Sequence, residues 1–196
     1  MNVPRSARRA EKIRRVLATR QPDLTVVMEN IHDPHNVSAI FRTCDAVGVL
    51  HVKLLYNEEP FPRIGKKSSS SANKWLERGK HTSVEECVRT LHAEGFRVLA
   101  TRLGEGTTPL HELDLTSKTA FVFGNEHRGV SDEMAERADS LVNIPMMGMI
   151  ESLNVSVAAA VCLYEALRQR MKTGGYASPK LSPAELEELE QAWRRR

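Results

Sequence analysis

Three cysteines, Cys44, Cys87 and Cys162, are all that this 196-residue chain contains, and they are scattered, with no Cys-x-x-Cys pair. An odd and unpaired set argues against a disulfide framework and reads as buried thiols in a reducing compartment. No uninterrupted apolar run approaches the roughly 18–20 residues a membrane-spanning helix needs. The first residues are too rich in arginine and too poor in apolar side chains for a secretory signal. A cytoplasmic protein without a membrane partner is the expectation. Nucleotide signatures fail as well. Gly104-Glu105-Gly106 follows a strand-like run, but Pro109 stands where a dinucleotide fingerprint has its third glycine. Gly124 and Gly129 have the spacing of a P-loop, yet Val130-Ser131 replaces the lysine that would reach the β- and γ-phosphates. There is no Gly-x-Ser-x-Gly elbow. His32 and His35 flank Pro34 without a Cys or acidic cluster at ligand spacing, so they read as turn residues beside a binding cleft and no metal is expected.

What is present suits a globular domain with a substantial core: 41% hydrophobic and 27% charged residues. The net charge of +3 is modest, but its distribution is uneven. Arg5, Arg8, Arg9, Lys12, Arg14, Arg15 and Arg20 face Glu11 alone near the start, and Arg194-Arg195-Arg196 close the chain. Clustered arginine points to a polyanion, nucleic acid ahead of membrane. Three parts follow: a basic helix over 1–20, a domain over 21–172 and a helical extension over 173–196.

Periodicity predicts alternating strands and helices. A basic amphipathic helix over 5–20 carries Ala10, Ile13, Val16 and Leu17 on one face. Leu24–Met28 is a buried strand, and 32–36 a loop. A helix with Val37, Ile40, Phe41, Cys44 and Val47 at 3.6-residue spacing stops at Gly48, leaving Ser38, Arg42 and Asp45 on the other face. Val49–Tyr56 is a strand and 57–80 loop-like. Ser83 and Glu86 form a capping box for a helix ending at Gly95. Phe96–Thr101, Ala120–Phe123 and Leu141–Ile144 are strands. Helices start at Ser131-Asp132-Glu133 and, with an N1 proline, at Ser182-Pro183-Ala184-Glu185. The alternation gives an α/β fold with a mostly parallel sheet.

The segment Ile144–Val161 stands out: a strand end, a glycine turn, then a helix with a polar first turn and a small apolar body. Free backbone N–H groups at such a start anchor a polar ligand, and the alanines admit a close neighbour. Glu126 lies just past a strand's carboxyl end, where open α/β sheets hold their ligands. Taken singly, each candidate has an ordinary reading: Arg42 as a surface partner of Asp45, Glu126 as a solvated carboxylate, Ser152 and Asn154 as helix caps.

Taken together they form a pattern. Asn36–Gly48 resembles the first motif of the SpoU/TrmH family, within the SPOUT class of RNA methyltransferases. Phe123-Gly124-Asn125-Glu126-His127-Arg128-Gly129-Val130 is similar to the second, and Ile144–Val161 to the third. The motifs occur in family order and spacing, and the resemblance spans about residues 20–172. It is nearest to members acting on guanosine 18 of tRNA, through Arg-Gln-Pro-Asp-Leu-Thr at 20–25 and Pro-His-Asn-Val-Ser at 34–38.

The resemblance implies a parallel sheet with helices on both faces and a C-terminal deep trefoil knot. It implies S-adenosylmethionine as cofactor, held by loop ends carrying Thr101, Leu103, Phe123, Gly124, Asn125, Ile144, Met146, Gly148, Met149 and Leu153. It gives Arg42 the central catalytic role, with Asn36, Glu126, Ser152 and Asn154 positioning the reacting groups. Because arginine stays protonated, Arg42 reads as a grip on the target phosphate and a stabiliser of oxyanion charge, not as a base. Arg8, Arg9, Lys12, Arg15, Arg20, Lys66, Lys67 and Arg168 are expected to contact tRNA, and the family implies a homodimer packed through the knot helices. The same reaction at a tRNA wobble position or in ribosomal RNA, and a non-catalytic RNA-binding module, are the competing readings. Lys66–Ser71 and His127-Arg128 depart from the family pattern near the expected RNA path.

Overall fold

The computed structural model describes residues 5–62 and 72–196. Within these residues seven strands form one sheet: β1 (Leu24–Glu29), β2 (His51–Leu55), β3 (Glu77–His81), β4 (Arg97–Thr101), β5 (Thr108–Pro109), β6 (Thr119–Phe123) and β7 (Ser140–Asn143). Their order is β3-β2-β1-β6-β4-β7-β5, and every pairing is parallel. All the strands therefore deliver their carboxyl ends to one edge. Among the described residues six α-helices accompany them: α1 (Arg5–Ala18), α2 (Pro34–Ala46), α3 (Val84–Ala93), α4 (Asp132–Arg137), α5 (Val155–Lys172) and α6 (Pro183–Arg195).

Two-residue alternation divides the central strands between two cores. Leu24, Val26, Met28, Phe121 and Phe123 face α2 and α5, meeting Ile40, Phe41, Cys44, Cys162 and Leu163. Val27, Val98, Ala100, Ala120 and Val122 face α3 and α4, meeting Val88, Leu91 and Met134. A third cluster joins α1 to α6 through Ile13, Leu17, Leu181 and Trp193. Helix α5 is tied back to the segment leading into β6. Gln169 Nε2 donates to Leu113 O at 2.9 Å, Leu115 N to Gln169 Oε1 at 2.9 Å, and Arg170 to the carbonyls of Leu115 and Ser117 at 3.0 and 2.7 Å.

Several expectations shift in detail. Helix α2 begins at Pro34 and not after Asn36, because Asp33 caps it, accepting His35 N at 2.8 Å. Gly48, with φ +86°, ends it as expected. The 57–80 stretch contains a short 3₁₀ turn at Ala72–Lys74 and the edge strand β3. Ser83 caps α3 through Glu86 N at 3.3 Å, but the reciprocal half of the expected box is not made. At α6 both halves of the box form.

Candidate active site

The carboxyl ends of β1, β4, β6 and β7 surround a cleft of about 900 Å³. Its walls are the loops after those strands and the start of α5, the place where a parallel sheet presents ligands. Thr101, Leu103, Phe123, Gly124, Asn125, Glu126, Ile144, Met146, Ser152, Leu153 and Asn154 all line it. Gly148 and Met149 do not, and Met149 is 99% exposed. The 144–154 loop presents Met146 and Leu153 to the cleft and turns Met147, Met149 and Ile150 outward to solvent.

Hydrogen bonds join the three motifs directly. Asn36 Nδ2 donates to Glu126 Oε1 at 2.8 Å, and Asn154 Nδ2 donates to Asn36 Oδ1 at 3.1 Å. Glu126 also accepts the backbone N–H groups of His32 and Asp33 at 2.9 and 3.1 Å. Burial raises the Glu126 carboxyl, yet the bonds from Asn36, His32 and Asp33 outweigh it and hold the group below its ordinary value. Asn154 also caps α5, accepting Ser156 N at 2.9 Å, so its capping and its bridging role coexist. Ser152 lines the cleft and is exposed, without a hydrogen bond among the described residues.

Arg42 is exposed on α2, outside the cleft lining, and has no hydrogen-bond or ion-pair partner among the described residues. Its expected neighbour Asp45 is engaged elsewhere, by Arg20. That pairing corrects the reading of Arg20 as an RNA contact. Arg20 is fully buried, donates to Val49 O at 2.9 Å and lies 5.0 Å from the Trp193 ring. Asp45, Val49 and Trp193 come from distant parts of the chain and together enclose the guanidinium. Arg8, Arg9, Lys12 and Arg15 are exposed on α1. Arg168 is exposed but forked onto Glu165 at 2.8 and 2.7 Å. Lys66 and Lys67 lie outside the described residues.

Sequence reading missed several residues of the cleft. Buried Glu29 accepts Ser131 N at 3.0 Å and Ser131 Oγ at 2.5 Å, fastening α4 to the end of β1. Burial raises the Glu29 carboxyl above its usual range, against those two bonds. Asn30, with φ +50°, is the one non-glycine residue in the left-handed region among the described residues. Its Oδ1 accepts the N–H groups of Asn57, Glu58 and Glu59, each at 3.2 Å, and its carbonyl accepts Asn125 Nδ2 at 2.8 Å. The only sequence signal was the Asn type itself, which tolerates that conformation.

Gly124 is obligatory for a steric reason: a Cβ there would lie 2.1 Å from the Gly129 backbone. The 125–129 turn folds back that tightly over the end of β6, closed by Gly129 N donating to Asn125 O at 2.8 Å. By contrast, residues 144–153 make no hydrogen bond through their backbone groups among the described residues.

The sequence pattern of the SpoU rRNA Methylase family matches residues 23–164. The chain belongs to this family. Among SpoU proteins, it is 46% identical over 98% of both chains to a tRNA (guanosine(18)-2′-O)-methyltransferase of Thermus thermophilus. Its fold superposes on the crystal structure of a TrmH/SpoU tRNA modifying enzyme from A. aeolicus with a TM-score of 0.91, at 39% identity, covering 97% of this chain and 96% of that one. The SpoU methyltransferase AviRb of Streptomyces viridochromogenes, in complex with AdoMet, superposes with a TM-score of 0.67 at 27% identity, covering 79% and 59%.

Proposed function

We propose that this chain transfers the methyl group of S-adenosylmethionine to the ribose 2′-hydroxyl of guanosine 18 in tRNA. The observation that carries the reading is the direct bonding of all three SpoU motifs, Asn154 to Asn36 to Glu126, beside one cleft at the sheet's carboxyl edge. The 46% relative of nearly equal length bears that activity in its name.

The cleft suits the cofactor. Phe123, Ile144, Met146 and Leu153 give apolar walls for a purine, and the partnerless backbone of 144–153 gives donors and acceptors to read its edges. Bound S-adenosylmethionine supplies a methyl group already activated by the adjoining sulfonium. The protein's task is alignment and charge management. Asn36 and Glu126 fix the start of α2, which carries Arg42, against the second motif. Asn154 fixes it against the third, and Ser152 offers a free hydroxyl toward the ribose. Arg42, permanently charged and without a partner among the described residues, grips the phosphate of the target nucleotide. That phosphate takes the 2′-hydroxyl proton while the guanidinium stabilises the developing oxygen charge.

Arg8, Arg9, Lys12 and Arg15 of the 1–20 helix, with Lys66, Lys67 and Arg168, would collect the tRNA around the 21–172 methyltransferase body, with 173–196 bracing α1. Val157, Val161, Tyr164 and Met171 make an exposed stripe along α5, continued by Met147, Met149 and Ile150. A second copy of the chain is the occupant we assign to it, with residues 144–172 threaded as the family's knot. The deciding experiment feeds labelled cofactor to a tRNA transcript and maps the methylated nucleotide. Label at guanosine 18, lost in a transcript with adenosine there, supports the reading. Label at another nucleotide, or none, overturns it.

A further inference from the structure

The RNA-facing cleft has an electrostatic contradiction. Its lining holds five carboxylates, those of Glu29, Glu58, Glu126, Asp132 and Glu151, against two guanidiniums, Arg102 and Arg128. Both guanidiniums are already taken. Arg102 pairs with Asp132 at 2.8 Å, and Arg128 is forked between Glu58 and Glu59, the latter at 3.3 Å. A polyanion approaching this mouth meets excess negative charge, and finds a guanidinium free to bind it only where one of these pairs opens.

The Arg128 pair is built to do so. Both of its sides are mounted on buried amides. Asn30, 4% exposed, holds the 57–59 backbone with its side-chain oxygen, placing Glu58 and Glu59. Asn125, 7% exposed, holds His127 N and Arg128 N at 3.0 and 3.3 Å, placing Arg128. Asn125 Nδ2 also donates to the main-chain carbonyl of Asn30 at 2.8 Å, so the whole forms a closed ring. The ion pair itself is wet, with the Arg128 and Glu58 side chains 53% and 50% exposed. An exposed pair contributes at most about 1 kcal/mol, so the anchoring places the charges without making them hard to separate. Arg128 also sits two residues past Glu126, next to the junction of the three motifs.

We propose that Arg128 is a phosphate-gripping residue held in reserve by Glu58 and Glu59, and that the RNA backbone displaces those carboxylates to take the guanidinium. This rests on the reading of tRNA as substrate. A planar fork that binds a carboxylate with two N–H groups binds a phosphate the same way, and the freed carboxylates return to water. Closed, the pair screens the cleft from short or weakly charged anions. Opened, it adds a phosphate contact close to the target ribose.

The test compares R128A, E58Q/E59Q and the triple variant, measuring tRNA binding by filter retention across a salt series. R128A should weaken tRNA binding about tenfold and make the slope of log affinity against log salt shallower by about 0.7–0.9. Cofactor affinity measured without RNA should not follow. E58Q/E59Q should bind tRNA several-fold more tightly than wild type. The triple variant should bind as weakly as R128A. A triple variant that binds like wild type shows that Arg128 only neutralises the two acids, and overturns the proposal. So does unaltered affinity in E58Q/E59Q or in R128A. If wild type itself neither binds nor methylates tRNA, the functional reading falls and takes this one with it. Wild-type turnover with unresponsive variants removes this one alone.

Discussion

Asn154 Nδ2 donates to Asn36 Oδ1 at 3.1 Å, across 118 residues of sequence. The other half of the same Asn36 amide donates to Glu126 at 2.8 Å, so one side chain holds both ends of the cleft wall together. Asn36→Asp keeps the acceptor for Asn154 but sets a carboxylate against Glu126. It should lower methyl transfer more than Asn36→Ala does, by about tenfold or more, since like charges there repel and leave the bonds unmade. Single-turnover rates on a tRNA transcript compare the two.

Glu126 links this junction to pH. Its folded-state value is depressed below the ordinary 4.5, burial being outweighed by its hydrogen bonds. A depressed carboxylate adds stability that is fully present above its unfolded value and is lost as pH falls through the folded one. Wild type should therefore lose more stability than Glu126→Gln when acidified from about pH 5 to about pH 3, read by urea denaturation at each pH. Parallel losses in the two proteins would refute the assignment.

Arg42, exposed and without a partner among the described residues, has little structural work to do. Arg42→Ala should leave thermal stability within about 0.5 kcal/mol and reduce methyl transfer by two orders of magnitude or roughly that. Arg42→Lys should recover only a small part, because a point charge does not replace the planar fork. Near-normal turnover in Arg42→Ala would remove the residue from the mechanism.

Two arginines of the same basic stretch should behave oppositely. Arg20→Ala removes a buried cation from Asp45, Val49 O and the Trp193 ring, and should cost about 3 kcal/mol of stability. Arg15→Ala, on the exposed side of α1, should leave stability unchanged and weaken tRNA binding with a shallower salt dependence. Melting curves and filter binding on the pair separate the two roles.

Gly124→Ala should abolish the site and lower the melting temperature sharply. The added methyl would fall 2.1 Å from backbone atoms of Gly129, and no side-chain rotation relieves a clash with backbone. A soluble Gly124→Ala protein with wild-type cofactor affinity would contradict the geometry.

Much of this architecture is written locally. The spacing of Val37, Ile40, Phe41 and Cys44 defines α2, Gly48 ends it, and Ser182 with Glu185 starts α6, because each depends on neighbours a few residues away. Strand β3 escaped notice since Glu77-Arg78-Gly79-Lys80-His81 pairs on one edge only and has no apolar alternation to display. Arg20 looked like part of a basic run, yet it and Arg170 are both buried. Their burial depends on Asp45 and Asp23, partners 25 and 147 residues away that no local pattern reveals. The motif residues of the cleft were readable by resemblance. Asn30 and Glu29, which hold those motifs in place, were not, since their partners are Asn125, the 57–59 backbone and Ser131.

The bare backbone of residues 144–153 has one more consequence. A parallel sheet satisfies its own peptide groups, but this segment, which follows β7, satisfies none through partners among the described residues. Those groups are left to solvent or to a ligand, and a ligand that took them would complete the hydrogen bonding of the segment. Association would then carry the thermodynamic character of a folding step, enthalpy gained against chain entropy lost, with amide protection appearing where none existed before.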